Sequence, residues 1–488
     1  MISLSNSYAA LPGRFFAHVR PTGVPQPRML KFNRPLAAEL GLDPAALDSP
    51  EGAEILSGNS VPANFTPIAM AYAGHQFGGF VPQLGDGRAI LLGESVDRTG
   101  VRRDIQLKGA GRTPYSRGGD GRAAIGPVLR EYLVSEAMHA LGIPTTRALA
   151  AVATGDSVYR ETVLPGAVLT RVAASHIRVG TFQFFAARGD EEGLRALADY
   201  VIARLYPELA EREDRYLALL QAVAGRQASL VARWMHVGFI HGVMNTDNSS
   251  ISGETIDFGP CAFMDAYNPG TVFSSIDQGG RYQYQNQPGI AQWNLARFAE
   301  TLLPLMDANV DVAVEKANQA VVDFAAAFQT AWLDGLRRKI GLANGEDDDG
   351  ALVQALLDLM QKDEVDWTSA FRYLADSAKG DDTPFWSLFE DRAEADRWLS
   401  GWRQRLARDP GGDADRAARM NSENPLYIPR NHLVEEALAA AANDDDLGPF
   451  EALNATLADP YRDQGADKLR YTEPAPRGGP IYRTFCGT

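Results

Sequence analysis

The densest chemistry in the chain is the run His241-Gly-Val-Met-Asn-Thr-Asp247-Asn248, followed closely by Thr255-Ile-Asp257-Phe-Gly259. Asn248 and Asp257 offer hard oxygen ligands nine positions apart. Mg²⁺ is commonly held by one or two carboxylates, an amide oxygen and the phosphates of its substrate, and this pair suits it. Residues 249–256 have a strand-like pattern that could fold back as a hairpin. Asp247, beside the Asn, is a candidate base or a support for the ligands. A lone Asp-Asn dipeptide is more often only a turn, so the weight rests on the Asp-Phe-Gly that follows.

A second constellation lies upstream. Lys108 closes a short apolar run, and Glu131 follows 23 residues later in a helical pattern, off the Leu129, Leu133 and Ala137 stripe. Taken singly, an edge Lys and a solvated helix Glu have plain structural readings. Protein kinases, however, pair a strand Lys with a helix Glu to place phosphates, and hold metal with a loop Asn and the Asp of Asp-Phe-Gly. In the order Lys108, Glu131, Asn248, Asp257, the four residues point to nucleotide chemistry. The kinase pattern then breaks, because no His-Arg-Asp precedes Asn248 at the usual gap and no Gly-x-Gly-x-x-Gly lies upstream of Lys108. In their place stand Gly85-Asp-Gly87-Arg88 and Gly109-Ala-Gly111-Arg112-Thr-Pro-Tyr-Ser-Arg117-Gly-Gly-Asp120-Gly121-Arg122. Loops of Gly and Arg can bring backbone N–H groups and forked guanidinium donors to phosphate oxygens, though a flexible turn has the same composition.

The elements that must position these residues change character along the chain. Residues 88–94, 103–108, 145–153 and 157–172 read as strands. Between the second and third lies a helix, with Pro127 in its first turn and Gly142 at its stop. That order predicts a mixed sheet with one packed helix. Beyond residue 180 helical periodicity dominates: Leu217, Leu220, Ala224, Ala228, Val231 and Met235 form one apolar stripe. Further helices are expected over 292–305, 310–339, 351–361 and 394–408. The acidic stretches 345–350, 409–415 and 443–446 read as solvated loops.

Composition bounds the rest. The 488 residues carry 47 Lys+Arg and 62 Asp+Glu, a net charge of −15, with 45% hydrophobic residues. Such a chain buries a large core and does not coat nucleic acid, which needs a basic footprint. Residues 85–180 nevertheless hold 13 basic and 9 acidic side chains, a local +4. The N-terminus lacks a signal-peptide pattern and no window is apolar enough to span a membrane, so a cytoplasmic location is expected. Cys261 and Cys486, 225 positions apart, make neither a disulfide framework nor a zinc pattern.

The runs Tyr72-Ala-Gly-His-Gln-Phe-Gly, Gln83-Leu-Gly-Asp-Gly-Arg88, the 106–122 segment, His241 to Asn248 and Asn424-Pro-Leu-Tyr-Ile-Pro-Arg-Asn-His432 closely resemble the selenoprotein O family. The resemblance covers nearly the whole chain. It implies an α+β, protein-kinase-like bilobal fold: a smaller β-rich lobe with one key helix, and a larger, mainly helical lobe with extensions. The matching division is 1–180, 181–430 and 431–488. It also implies transfer of AMP from ATP to Ser, Thr or Tyr hydroxyls of proteins, with the nucleotide flipped relative to kinases and pyrophosphate leaving. Carried over residue by residue, Gly85, Gly87, Arg88, Lys108, Asp120, Gly121, Arg171, Arg178 and Asp257 are the nucleotide set, and Glu131 is the partner of Lys108. Asn248 and Asp257 are the Mg²⁺ ligands, with Mn²⁺ a substitute, and Asp247 is the proton acceptor. Cys486 stands where some members carry selenocysteine; a redox-linked role and a plain tail thiol are equally open, and Cys261 is expected to be a small buried residue. The expected partners are ATP and hydroxyl-bearing proteins, with neither nucleic acid nor membrane. The alternatives are a kinase moving the γ-phosphate, an ATP-binding scaffold without catalysis, and UMP transfer with Mn²⁺.

Overall fold

The computed structural model describes residues 3–410, 415–476 and 484. One large sheet dominates the N-terminal part and helices the remainder. The sheet is built from β1 (Phe16–His18), β2 (Arg28–Phe32), β3 (Ile68–Met70), β6 (Ala89–Val96), β7 (Arg102–Lys108), β8 (Ala123–Ala124), β9 (Arg147–Tyr159) and β10 (Val163–Ala173), while β4 (Gly74–Gln76) and β5 (Gly79–Val81) form a separate hairpin. The strand order is β1-β3-β6-β7-β10-β9-β2, with β8 on β10. The ladders are antiparallel, not mixed as the element order suggests. Helix α4, introduced below, carries the chain from β8 to β9, which runs in the same direction as β7. But β10 inserts between those two strands, so no parallel pair forms. The reversal between β9 and β10 lies at 160–162 rather than near residue 155, because Gly155-Asp156 is absorbed within β9 beside a register shift.

Three short helices, α1 (Arg34–Glu39), α2 (Pro44–Leu47) and α3 (Pro50–Ser57), pack on one face of the sheet with Ile90, Leu92, Leu149 and Val168. On the other face lies α4 (Ile125–Ala140), whose Leu129, Leu133 and Ala137 meet Ala148, Ala151 and Leu169 as their helical spacing requires. The following helices are α5 (Val179–Ala186), α6 (Glu191–Leu205), α7 (Arg215–His236), α8 (Gln287–Met306), α9 (Val310–Lys339), α10 (Asp349–Lys362), α11 (Trp367–Ser377), α12 (Thr383–Trp386), α13 (Arg392–Leu406) and α14 (Arg416–Glu423). They share the largest core, into which α7 sends Leu220, Ala228 and Val231. The chain then returns: α15 (Asn431–Asn443) and α16 (Gly448–Leu457) cover the outer side of α4 with Leu433, Val434, Phe450 and Leu453.

Two further expectations change, and the one for Cys261 holds. Residues 249–256 form no hairpin; Ser250 and Thr255 instead make single bridges to Arg178 and Thr145, tying the segment to the sheet-side chain. Asp349 and Asp409 are not solvated. Asp349 is buried between Arg337 and Arg405, and Asp409 accepts the Ala343 N–H, so these carboxylates join helices. Cys261 is buried, and burial pushes its thiol up to about 12, which makes it an inert packing residue. Cys486 lies outside the described residues. No helix among the described residues is long and apolar enough to cross a membrane.

Candidate active site

A cleft of about 730 Å³ lies between the β6–β7 end of the sheet and the 243–260 segment. Gly85, Gly87, Arg88, Lys108, Asp120, Gly121, Arg171, Arg178, Asp247, Asn248 and Asp257 all line it. Glu131 stands behind Lys108, buried. Residues as far as 172 positions apart in sequence, Gly85 and Asp257, are thus gathered around one volume.

Lys108 ends β7, flanked in the sheet by Ala89 of β6 and Leu169 of β10. Its Nζ donates to Glu131 Oε2 at 2.5 Å and to Asp257 Oδ1 at 2.9 Å. The other Glu131 oxygen accepts from Arg171 at 3.1 Å, and Arg171 also reaches Gln106. Glu131 needs these cations. Burial alone would push its carboxyl up, yet Lys108 and Arg171 hold it below the ordinary value. Asp257 behaves likewise: burial opposes its charge, but Lys108 and Arg88 pull it far below the carboxylate range, so it is an anion at any working pH. It also adopts a left-handed backbone at φ 68°, an uncommon conformation for a residue with a side chain.

The 85–88 loop passes close to the 112–122 loop. A Cβ at Gly85, where φ is 69°, would fall 2.3 Å from Tyr115 Cγ, and one at Gly121 would fall 2.0 Å from the Gly111 carbonyl. The first contact lets the two loops lie together, and the second lets the 109–122 segment close on itself, only because these positions lack side chains. Asp120 engages Arg160 through both oxygens and caps the Arg122 N–H, so it fixes the second loop.

Asp247 lies in a short 3₁₀ turn, Thr246–Asn248. Its Oδ2 accepts from Gln76 at 3.1 Å, whereas its Oδ1 is buried without a hydrogen-bond partner among the described residues. Burial pushes its carboxyl up to about 6, against the pull of Gln76 and Arg178. Arg178 donates to the Asp247 carbonyl at 3.0 Å, lies over the Tyr72 ring at 4.5 Å and stands 3.7 Å from Asp86. The guanidinium therefore orients the Asp247 turn. Asn248 Nδ2 donates to the Val243 carbonyl at 3.2 Å, which directs its amide oxygen elsewhere. An anionic Asp257 and an Asn oxygen on the same cleft fit a hard divalent ion that takes its remaining ligands from phosphate and water. Among the described residues no three His, Cys, Asp or Glu side chains group to cage an ion alone.

The sequence reading assigns no role to Asp86, Tyr72, Gln76 or Tyr115, all of which line the cleft. Asp86 is buried, accepting from the Met70 N–H and from Gln106, and burial raises its carboxyl against the Arg178 charge. Asp86 and Tyr115 fall inside the Gly- and Arg-rich runs, and Tyr72 and Gln76 inside a run that carries the family resemblance, which is the available signal.

A β-sheet Lys ion-paired to a helix Glu, facing an anionic Asp and glycine loops across one cleft, has the donor set to hold a polyphosphate. The family model described as "Protein adenylyltransferase SelO" matches residues 2–458. "Protein nucleotidyltransferase YdiU" of Rhizobium meliloti (strain 1021) is 65% identical over 485 residues, covering 99% of both chains. The proteins of that name from Rhizobium rhizogenes (strain K84 / ATCC BAA-868) and Bradyrhizobium sp. (strain BTAi1 / ATCC BAA-1182) are 64% and 63% identical, covering 97% and 98% of those chains. The chain belongs to the SelO family of protein nucleotidyltransferases.

Proposed function

We propose that the protein transfers AMP from ATP to hydroxyl side chains of other proteins, on a protein-kinase-like bilobal scaffold divided near residues 180 and 430. The observation that carries this reading is the Arg171–Glu131–Lys108–Asp257 chain, buried at Arg171 and Glu131 and open to the cleft at Lys108 and Asp257, in a cleft also lined by Arg88, Arg178 and Asp247. The supporting scaffold is the antiparallel sheet with its Lys108–Glu131 link to α4; the 431–457 helices lean back on α4.

The acceptor oxygen attacks the α-phosphorus, the bond from that phosphorus to the bridging oxygen of the β-phosphate breaks, and pyrophosphate leaves with the electron pair. The Asp247 carboxylate, which lines the cleft and whose Oδ1 has no hydrogen-bond partner among the described residues, takes the hydroxyl proton as the oxygen becomes acidic late in the reaction. A carboxyl raised to about 6 is a stronger base than an ordinary Asp while still ionised near pH 7. Arg178 holds the Asp247 backbone, and Lys108, Arg88 and Arg171 offset charge growing on the polyphosphate. Asn248 and Asp257 would hold Mg²⁺ or Mn²⁺, which supplies charge neutralisation on nonbridging oxygens.

A kinase reading draws on the same Lys108–Glu131 pair, and label position separates the two. With ATP labelled at the α-phosphate, protein becomes labelled by the wild type and not by Asp247→Ala. Label arriving only from the γ-phosphate would replace this reading with kinase activity, and ATP binding without either label would leave a scaffold.

A further inference from the structure

The β4–β5 hairpin is unused by the chemistry so far, yet it touches both ends of it. At one end Gln76 bonds Asp247, while the His75 N–H donates to the Thr246 hydroxyl at 2.6 Å and the Phe77 N–H to Asn245 Oδ1 at 3.1 Å. At the other end, three residues after β5, the chain enters the glycine loop at Gly85, whose N–H is bonded to the Tyr72 carbonyl. The hairpin therefore bridges the proposed base and the phosphate loop.

Its tip is built for contact. The two-residue turn places Phe77 at φ 51° and Gly78 at φ 86°, the signature of a type I′ turn. An aromatic residue held at positive φ is a strained choice where Asn or Asp would serve, and such outliers gather at functional sites. Phe77 is 37% exposed and Phe80 42%, among the few large apolar side chains facing solvent. Neither is loose: Phe77 packs on the Tyr282 ring at 5.1 Å, and Phe80 on His75 at 4.9 Å, which in turn meets Trp293.

Two features indicate what covers this face. The sheet has only two strands, so the outer edge of β5 has no neighbouring strand among the described residues. With Gln76 paired to Gly79 across the turn, the next pair, His75 and Phe80, turns its backbone N–H and C=O outward. The His75 N–H meets Thr246, while Phe80 presents its groups to an open edge. Beside the tip, Arg281 comes within 3.7 Å of where a Gly78 Cβ would lie; it stacks near Trp293 and forms no carboxylate pair among the described residues. Its Nε is buried with no hydrogen-bond partner among the described residues.

We propose that this hairpin is the acceptor platform: an extended, acidic segment of the target protein adds to the free edge of β5 as a third strand. Main-chain pairing sets its register, Phe77 and Phe80 grip alternate apolar side chains, and Arg281 takes a carboxylate. The chain beyond the paired segment then carries the hydroxyl past the Phe77 tip toward Asp247, which Gln76 bonds from the opposite edge of the hairpin. The inference rests on AMP transfer as the reaction and names its protein substrate by chemistry: exposed chain able to lie extended, with an acidic residue near the hydroxyl. A folded helix presenting a hydroxyl would not pair with this edge.

The test uses the full chain, Mg²⁺, α-labelled ATP and a degenerate 12-residue peptide library with one fixed Ser, Thr or Tyr. The wild type should select an acidic flanking residue, and Arg281→Glu should reverse that selection toward Lys or Arg. Phe80→Ala should raise KM for the best peptide about tenfold, the loss expected for truncating an interface anchor, with ATP affinity within about twofold of wild type. N-methylation scanned along that peptide should impair transfer at alternate positions, the period of a paired strand. Transfer by the wild type with unchanged selection in Arg281→Glu and unchanged KM in Phe80→Ala overturns the platform alone. So does impairment without alternation, or loss of ATP affinity in Phe80→Ala, which would assign the hairpin to the nucleotide. Loss of a dimer in Phe80→Ala at unchanged peptide kinetics would assign the face to a second copy. Absence of α-label transfer by the wild type to any peptide or protein removes AMP transfer itself, and the inference with it.

Discussion

Replacing Glu131 by Gln removes one charge from the chain Arg171–Glu131–Lys108–Asp257 without changing its shape. In the native protein two cations face two carboxylates, with contacts of 2.5, 2.9 and 3.1 Å. The variant retains one carboxylate against two cations. The Gln amide NH₂ then points at whichever cation its oxygen does not serve. Breaking a buried pair from one side costs about 3–5 kcal/mol. Lys108 keeps Asp257 and is about one-eighth exposed on the cleft side, so the lower end, ~3 kcal/mol, is the expected loss. Because a chain this long need not unfold in one step, local opening is the appropriate readout. Hydrogen exchange of β7 and α4 amides that open through this link should accelerate by about two orders of magnitude, at ~1.4 kcal/mol per tenfold. Adding ATP should restore more protection in the variant than in the wild type, since polyphosphate offsets the surplus positive charge. Exchange within about threefold of wild type would refute the claim that this chain holds the sheet to its helix.

Two further predictions test separate parts of the structure. Gly85→Ala puts a Cβ against Tyr115 at positive φ, so ATP affinity should fall about tenfold or more by titration calorimetry; affinity within about twofold would mean that the loop does not cradle phosphate. Lys339, buried over the Phe371 ring, has its ammonium pulled down to about 7 by burial, below its unfolded value. Native protonation is thus penalised in full below pH 7, and the penalty fades as pH rises toward ~10.4. Lys339→Met should therefore stabilise by about 4 kcal/mol near pH 6 and by less than about 1 kcal/mol near pH 10. A urea-midpoint gain independent of pH would contradict it.

The site was more legible than the fold around it, for a physical reason. Lys108, Glu131, Asn248 and Asp257 are few residue types with narrow chemistry, and their order along the chain survives folding. The 3.6-residue stripes likewise announced α7, α8 and α9, with α4 marked by Leu129, Leu133 and Ala137. Strand partners are set by distant chain, so the insertion of β10 between β7 and β9 left no local trace. Asp349 and Asp409 read as solvent-facing because Arg337 and Arg405, which flank Asp349, and the Ala343 N–H, which Asp409 accepts, lie 12, 56 and 66 positions away. The hairpin carrying Phe77 and Phe80 is short and glycine-rich, a pattern indistinguishable in sequence from a loop.

The central claim is that the cleft activates the α-phosphorus. Its most direct test is ³¹P NMR of the protein with Mg-ATP and a modifiable protein or peptide. The account predicts pyrophosphate accumulating one for one with a phosphodiester signal on the acceptor, and neither in Asp247→Ala. ADP accumulating with a phosphomonoester on the acceptor would contradict it.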